Sequence, residues 1–416
     1  MPFPIEQVRA QFPALASGAV FFDNPGGTQV ARHVVERMSD YLIRTNANHG
    51  GAFPTSAASD LVSDLAHAAL ADLLGARSPA EIVFGQNMTT LTFTLSRALG
   101  RLLAPGDEII VTRLDHDANV SPWRLLAEDR GAVLKWVDFR PEDCTLDMAD
   151  FESQISDRTK IVACGYASNA VGTINDIAAV VQMAHAVGAL CYVDAVQYAP
   201  HGPIDVQALD CDFLACSAYK FFGPHVGILY GKYDLLDRLR AYKVRPADDR
   251  PPAKFETGTP NFEGQAGALG AIEYFEWLAQ AVAPDPALSR RAALVGALTA
   301  LQDYERGLGA RLIAGLQSIP GLKIWGLTDA ARLAQRVPTV SFTLAGWHPR
   351  RLAEALGAQG LYVWDGNYYA IAVTEKLGLE DQGGMLRVGL AHYNTPAEVD
   401  RLLDLLHGLA RSPASP

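Results

Sequence analysis

The chain has 416 residues, 49% of them hydrophobic and 19% charged, a balance that suits a globular protein of two domains with an ample core. A formal net charge of −11 argues against nucleic acid as a partner. No apolar run approaches the roughly 20 residues of a membrane-crossing helix, and residues 1–6 lack the basic and apolar regions of a secretion signal, so a cytoplasmic protein with no membrane contact is expected.

After a short N-terminal helix, residues 19–27 read as a strand running into Asn24-Pro25-Gly26-Gly27. Such a turn either lets backbone approach a ligand or simply reverses the chain. Residues 59–74 carry apolar side chains at helical spacing, 81–84 form a strand, and 85–90 a turn that opens a second helix over 91–103. Free N–H groups and a positive dipole end make that turn, with Asn87, Met88, Thr89 and Thr90, either a phosphate cradle or an ordinary helix cap.

The strand at 107–112 empties into Asp115-His116-Asp117-Ala118-Asn119, and a histidine so placed, taken alone, is more often a structural hydrogen bonder than a catalyst. Another strand, 159–164, leads to Ser168-Asn169-Ala170-Val171-Gly172, where the asparagine by itself could be just a turn former. A helix over 176–187 then crosses over to the next strand as a βαβ unit. The cysteines (Cys144, Cys164, Cys191, Cys211, Cys216) show no metal-like spacing and four lie in or beside apolar runs, so buried reduced thiols and no metal are expected.

The chemistry concentrates on the next two runs, Tyr192-Val193-Asp194-Ala195-Val196-Gln197 and Asp212 through Pro224. Each is short, apolar and abruptly polar at its end, the pattern of a buried parallel strand whose carboxyl end faces a ligand. One ends in Asp194, and Lys220 follows the other. Pyridoxal phosphate (PLP) requires this pair: a lysine amine to hold its aldehyde, and an acid to keep the pyridine nitrogen protonated so that the ring can draw in carbanion charge. Phe221, Phe222, Gly223 and Pro224 directly after Lys220 suit a solvated surface lysine poorly. Farther on, 226–230 is a strand, 267–282 and 288–316 are helices around a Pro-rich stretch at 283–286, and 321–409 alternates short strands and helices.

Asp194-x-x-Gln197, Ser217-x-Tyr219-Lys220 and the trailing Gly223-Pro224 resemble aminotransferase class V among the fold-type I PLP enzymes, and within it the cysteine desulfurases and related C–S lyases. The likeness runs from about Phe21 to the C-terminal helix, with Tyr219 where the family has histidine. It implies a large α/β domain over 15–284, built on a mostly parallel seven-stranded sheet sandwiched by helices. Residues 285–416, with 1–14, would form a small α/β domain. By the same resemblance Lys220 links to PLP and moves the substrate's Cα proton, Asp194 pairs with the ring nitrogen, and His116 stacks on the ring. Gln197 and Asn169 serve the phenolic oxygen, and Asn169 also meets the substrate carboxylate. Asn87 and Met88, with Ser217 and Tyr219, stand at the phosphate. Thr259, in Gly258-Thr259-Pro260-Asn261, would reach a partner's phosphate across an obligatory homodimer with a shared active site, and residues 48–51 look like the loop that reaches a neighbouring site. Arg387 would clamp the substrate carboxylate with its two-pronged fork.

The resemblance breaks at residues 363–370, Val-Trp-Asp-Gly-Asn-Tyr-Tyr-Ala, where the desulfurases carry a persulfide-forming cysteine. Tyr369 falls about where the thiol belongs and Trp364 replaces a basic residue. A phenol with a reference pKa near ~10 cannot stand in for a thiolate as a sulfur acceptor. Trp364, Tyr368 and Tyr369 make the substrate end aromatic, open to larger or thioether-bearing amino acids. The expected function is therefore a C–S lyase acting by β-elimination on a cysteine derivative, without a persulfide cysteine. A class V aminotransferase, an amino-acid epimerase and a PLP-binding relative without turnover are the alternatives.

Overall fold

In the computed structural model, which describes residues 3–411, the apolar runs assemble into a seven-stranded sheet. Its strands are β1 (Ile82–Gly85), β2 (Glu108–Thr112), β3 (Val133–Val137), β4 (Thr159–Gly165), β5 (Leu190–Asp194), β6 (Phe213–Ser217) and β7 (Gly227–Gly231). They lie in the order β1-β7-β6-β5-β4-β2-β3, with β7 antiparallel to both neighbours and the rest parallel. Helices cover both faces, which is why β2 and β6 are buried along their whole length and read as unbroken apolar runs.

Among the helices around the two sheets are α1 (Pro54–Leu74), α2 (Met88–Leu99), α3 (Phe262–Val282) and α4 (Arg290–Gln317). The helix expected over 91–103 starts earlier, at Met88, because the Asn87 side chain accepts the Thr90 N–H at 2.9 Å and so caps a turn before the apolar periodicity begins. A second sheet holds β8 (Leu322–Trp325), β9 (Thr339–Leu344), β10 (Trp364–Gly366) and β11 (Met385–Gly389), all antiparallel, in the order β8-β9-β11-β10.

Two details of packing lie near the expected domain limits. Ala293, Leu294, Ala297 and Leu301 of α4 pack in the core under the large sheet, while Leu308, Leu312, Ile313 and Leu316 pack in the core of the small one. The passage from one core to the other thus falls inside α4 and not at the Pro-rich stretch before it. Val20–Phe21 pairs with Leu361–Tyr362, and Val20 and Phe22 join the small core, so packing assigns this segment to the small domain although it follows residue 15. Among the described residues no helix is long and apolar enough to cross a membrane. Residues 412–416 lie outside the described residues.

Candidate active site

The carboxyl ends of β4, β5 and β6 open into a cavity of about 540 Å³, within the range of small-molecule sites. Asp194 ends β5, buried, its Oδ1 accepting the Val196 N–H at 2.9 Å. Burial raises its pKa to about 6, against the opposing pull of that N–H and of Lys220. After β6, one 3₁₀ turn over Ala218–Lys220 swings Lys220 inward until only 8% of it is exposed. Its Nζ donates to the Pro25 carbonyl, so the Gly-rich turn does reach the site. Burial, helped by the nearby Arg387 charge and opposed by Asp194, lowers the lysine to about 7.

His116 accepts the Ala118 N–H on Nδ1 at 3.0 Å, which places its proton on Nε2. Burial and the charges of Lys220 and Arg387 hold it down at about 4, so the imidazole is neutral. The Tyr369 ring stacks near it, centroids 5.6 Å apart and planes 19° from parallel. Asn87 and Met88 bring the N-terminus of α2 to the cavity, and the Met88 N–H donates to the Ser217 hydroxyl at 3.1 Å. That hydroxyl keeps its own proton to give. The close approach depends on Gly227 in β7, where a Cβ would stand 2.7 Å from the Asn87 Cα. Tyr219 stacks on His225 and lies 4.8 Å from the Lys220 Nζ.

The small domain supplies the remaining wall. Arg387, buried on β11, donates through Nη1 to the Asn169 carbonyl at 2.8 Å and lies 4.1 Å from the centre of the Tyr368 ring. Burial lowers it to about 10, still a cation at neutral pH. Asn169 donates to the Tyr368 carbonyl at 2.8 Å, and Gln197 donates to the Thr339 hydroxyl at 3.0 Å. Tyr368 and Tyr369 hold φ of 56° and 59°, two left-handed non-glycine residues in succession, a strained arrangement that recurs at ligand sites. Trp364 and Tyr369 stand at the mouth, both exposed.

Of the residues expected at the site, only Thr259 is elsewhere: it is exposed on the loop before α3 and does not line its own chain's cavity. Residues 48–51 likewise are exposed or half-exposed and do not line it. Asn169 Oδ1, Gln197 Oε1 and Arg387 Nε are buried without a hydrogen-bond partner among the described residues. Unfilled polar capacity of this kind, beside a lysine, an acid and a helix N-terminus, fits the donor and acceptor set that PLP needs.

Residues 20–402 match the family described as Aminotransferase class-V. The chain belongs to that family. Enzymes of this family are PLP-dependent. An aminotransferase-like protein of Gibberella zeae is 37% identical, covering 96% of this chain and 97% of the relative. A cysteine desulfurase of Serratia proteamaculans is 32% identical over 97% of each chain. Among solved structures, a cysteine desulfurase of Thermococcus onnurineus NA1 superposes with a TM-score of 0.88 at 28% identity over 99% of each chain. The cysteine desulfurase CsdA of Escherichia coli gives 0.84 at 28% over 100% of each. The expected fold, a large mostly parallel sheet between helices with a small C-terminal domain, is the fold of this family.

Within the family framework the structure adds residues that sequence inspection passed over. Asp115 lines the cavity, buried, and accepts the Thr112 hydroxyl at 2.9 Å. Burial and the neighbouring Asp194 raise it to about 8, so it is protonated at neutral pH beside an ionised partner. Its place directly before His116 at a strand end was the available signal. The Pro25 carbonyl lies in the Gly-rich turn already read as a possible backbone approach to a ligand, whereas Thr339 had no signal, since it meets Gln197 only through the tertiary fold. All five cysteines are buried, and none lines the cavity or falls in residues 363–370.

Proposed function

We propose that the chain binds PLP and, as a homodimer, eliminates a sulfur-bearing group from Cβ of a cysteine derivative, a C–S lyase that works without a persulfide cysteine. The observation that carries this reading is the buried Lys220–Asp194 pair facing a cavity whose other end offers Arg387 and an aromatic rim but no thiol. When bound, PLP supplies an electron sink for the charge left at Cα.

Asp194 would hold a proton on the ring nitrogen, in a buried setting where the ion pair gains from low dielectric. Neutral His116 would cover one face of the ring without adding charge. Ser217, Tyr219 and the N-terminus of α2 at Asn87 and Met88 would take the phosphate, completed by Thr259 of a second copy, consistent with its exposure away from its own cavity. Arg387 would grip the substrate carboxylate by its fork, beside Asn169. Lys220, whose amine is about half neutral near pH 7, would lift the proton from Cα. Trp364 and Tyr369 would flank the Cβ substituent, where a thioether or aryl group gains contact area.

The PLP-loaded protein should release pyruvate and ammonia from S-substituted cysteines. Exchange of amino and keto groups without pyruvate would overturn elimination. That outcome would favour an aminotransferase, the reading supported by the aminotransferase-like relative at 37% identity.

A further inference from the structure

Residues 168–173 carry Asn169 and leave the end of β4 in the large domain, yet the small domain holds their backbone. Four successive carbonyls each accept from a small-domain donor. Asn169 O accepts from Arg387 Nη1 at 2.8 Å, Ala170 O from the Ser341 hydroxyl, Val171 O from Arg336 Nη2 at 3.2 Å, and Gly172 O from the Val337 N–H at 2.9 Å. Gly172 has φ of 82°, and a Cβ there would run into the Thr339 carbonyl, so the contact requires glycine.

Arg336 is the hub of this seam. It is 8% exposed and gives its guanidinium to the carbonyls of Leu327, Val171 and Thr339, with no carboxylate in salt-bridge range among the described residues. A buried cation without a counter-ion is costly, and an apolar side chain of similar length would fill the space without that cost. Only a planar fork with several donors can tie three separate backbone segments together. Thr339, whose carbonyl Arg336 holds, accepts Gln197 Nε2 on its hydroxyl at 3.0 Å. One guanidinium therefore braces the backbone behind both cavity amides, Asn169 and Gln197, and each of these keeps an unpartnered buried oxygen.

We propose that Arg336 is a positioning residue for the reaction, fixing Asn169 and Gln197 at the cofactor by tying residues 168–173 to β9, so that these amides move with the small domain. The part played by the two amides rests on the proposed function; the tie itself does not. Two measurements on full-length Arg336→Lys and Ser341→Ala, with Arg336→Met as the variant lacking all donors, separate the two.

In protein without added cofactor, hydrogen exchange of the backbone at 168–173 should rise by about tenfold or more in both Arg336→Lys and Ser341→Ala while the melt stays cooperative. Unchanged exchange there overturns the tie. In PLP-loaded protein, the pH midpoint of the visible band in Arg336→Lys should move in the same direction as in Asn169→Ala, and the shifts should be less than additive in the double variant. An unmoved midpoint, or full additivity, makes Arg336 a merely structural residue and overturns the proposal. Failure of wild type to acquire a visible band refutes PLP binding and, with it, positioning at the cofactor, while the exchange measurement still decides the tie.

Discussion

Lys220 offers the sharpest prediction because its environment acts on it with opposing signs. Burial and Arg387 lower its pKa from 10.5 to about 7, while Asp194 pulls the other way. At pH 7 about half of such an amine is neutral, roughly a thousandfold more than for a free lysine. In cofactor-free protein, acylation of Lys220 by a small reagent, followed by peptide mass spectrometry across pH 5–11, should therefore titrate with a midpoint near 7. Arg387→Gln removes a lowering charge and should raise the midpoint by about one pH unit, and Asp194→Asn should lower it by a similar amount. Stability must follow. Between about 7 and 10.5 the unfolded chain binds more protons at this site than the folded one, so the Lys220 contribution to stability increases as pH rises through that window. Lys220→Met should flatten that rise in urea titrations. A labelling midpoint near 10, or one indifferent to both substitutions, would refute the account of the site's electrostatics.

Arg387→Lys keeps the charge but loses the fork that reaches Asn169 O, and should raise KM by roughly ten- to a hundredfold with a smaller change in kcat; steady-state kinetics with an unchanged KM would remove Arg387 from the carboxylate site. Gly227→Ala forces a Cβ to within 2.7 Å of the Asn87 Cα and should cost about 1–3 kcal/mol of stability, measured by thermal unfolding, together with weaker PLP retention. His67 pairs with Glu256 at 2.8 Å, and although burial opposes its charge, the Glu256 hydrogen bond and charge prevail and raise its pKa. Its contribution is therefore full below the unfolded value near 6.5 and is lost as pH rises through the higher folded value, so His67→Gln should remove that slope from stability curves above about pH 6.5.

Much of the site was legible because its signals are local. A buried parallel strand must end where its polar residues begin, so Asp194, and Lys220 just past the next strand, announced the ligand edge before any fold was drawn. The Asn87 cap was visible as a turn, and only the side-chain bond to Thr90 moved the start of α2 back to Met88. Boundaries were harder for the same reason. Helical periodicity in α4 is continuous, and nothing along the sequence marks where its apolar stripe exchanges one core for another.

What the sequence by itself determined is which side chains stand at strand ends and that segment 363–370 holds no cysteine, because residue type and apolar run length are written along the chain. What only the tertiary structure decided is which groups meet. The Val20–Phe21 pairing with Leu361–Tyr362 spans most of the chain, as does the Asn24 side-chain bond to the Gly389 carbonyl. Asp115 beside Asp194, Thr339 on Gln197, and the four carbonyls of 169–172 capped from the small domain likewise depend on two sheets being packed together. Such contacts leave no periodic trace, since their energy comes from desolvation and hydrogen bonding between segments brought together only when the core closes.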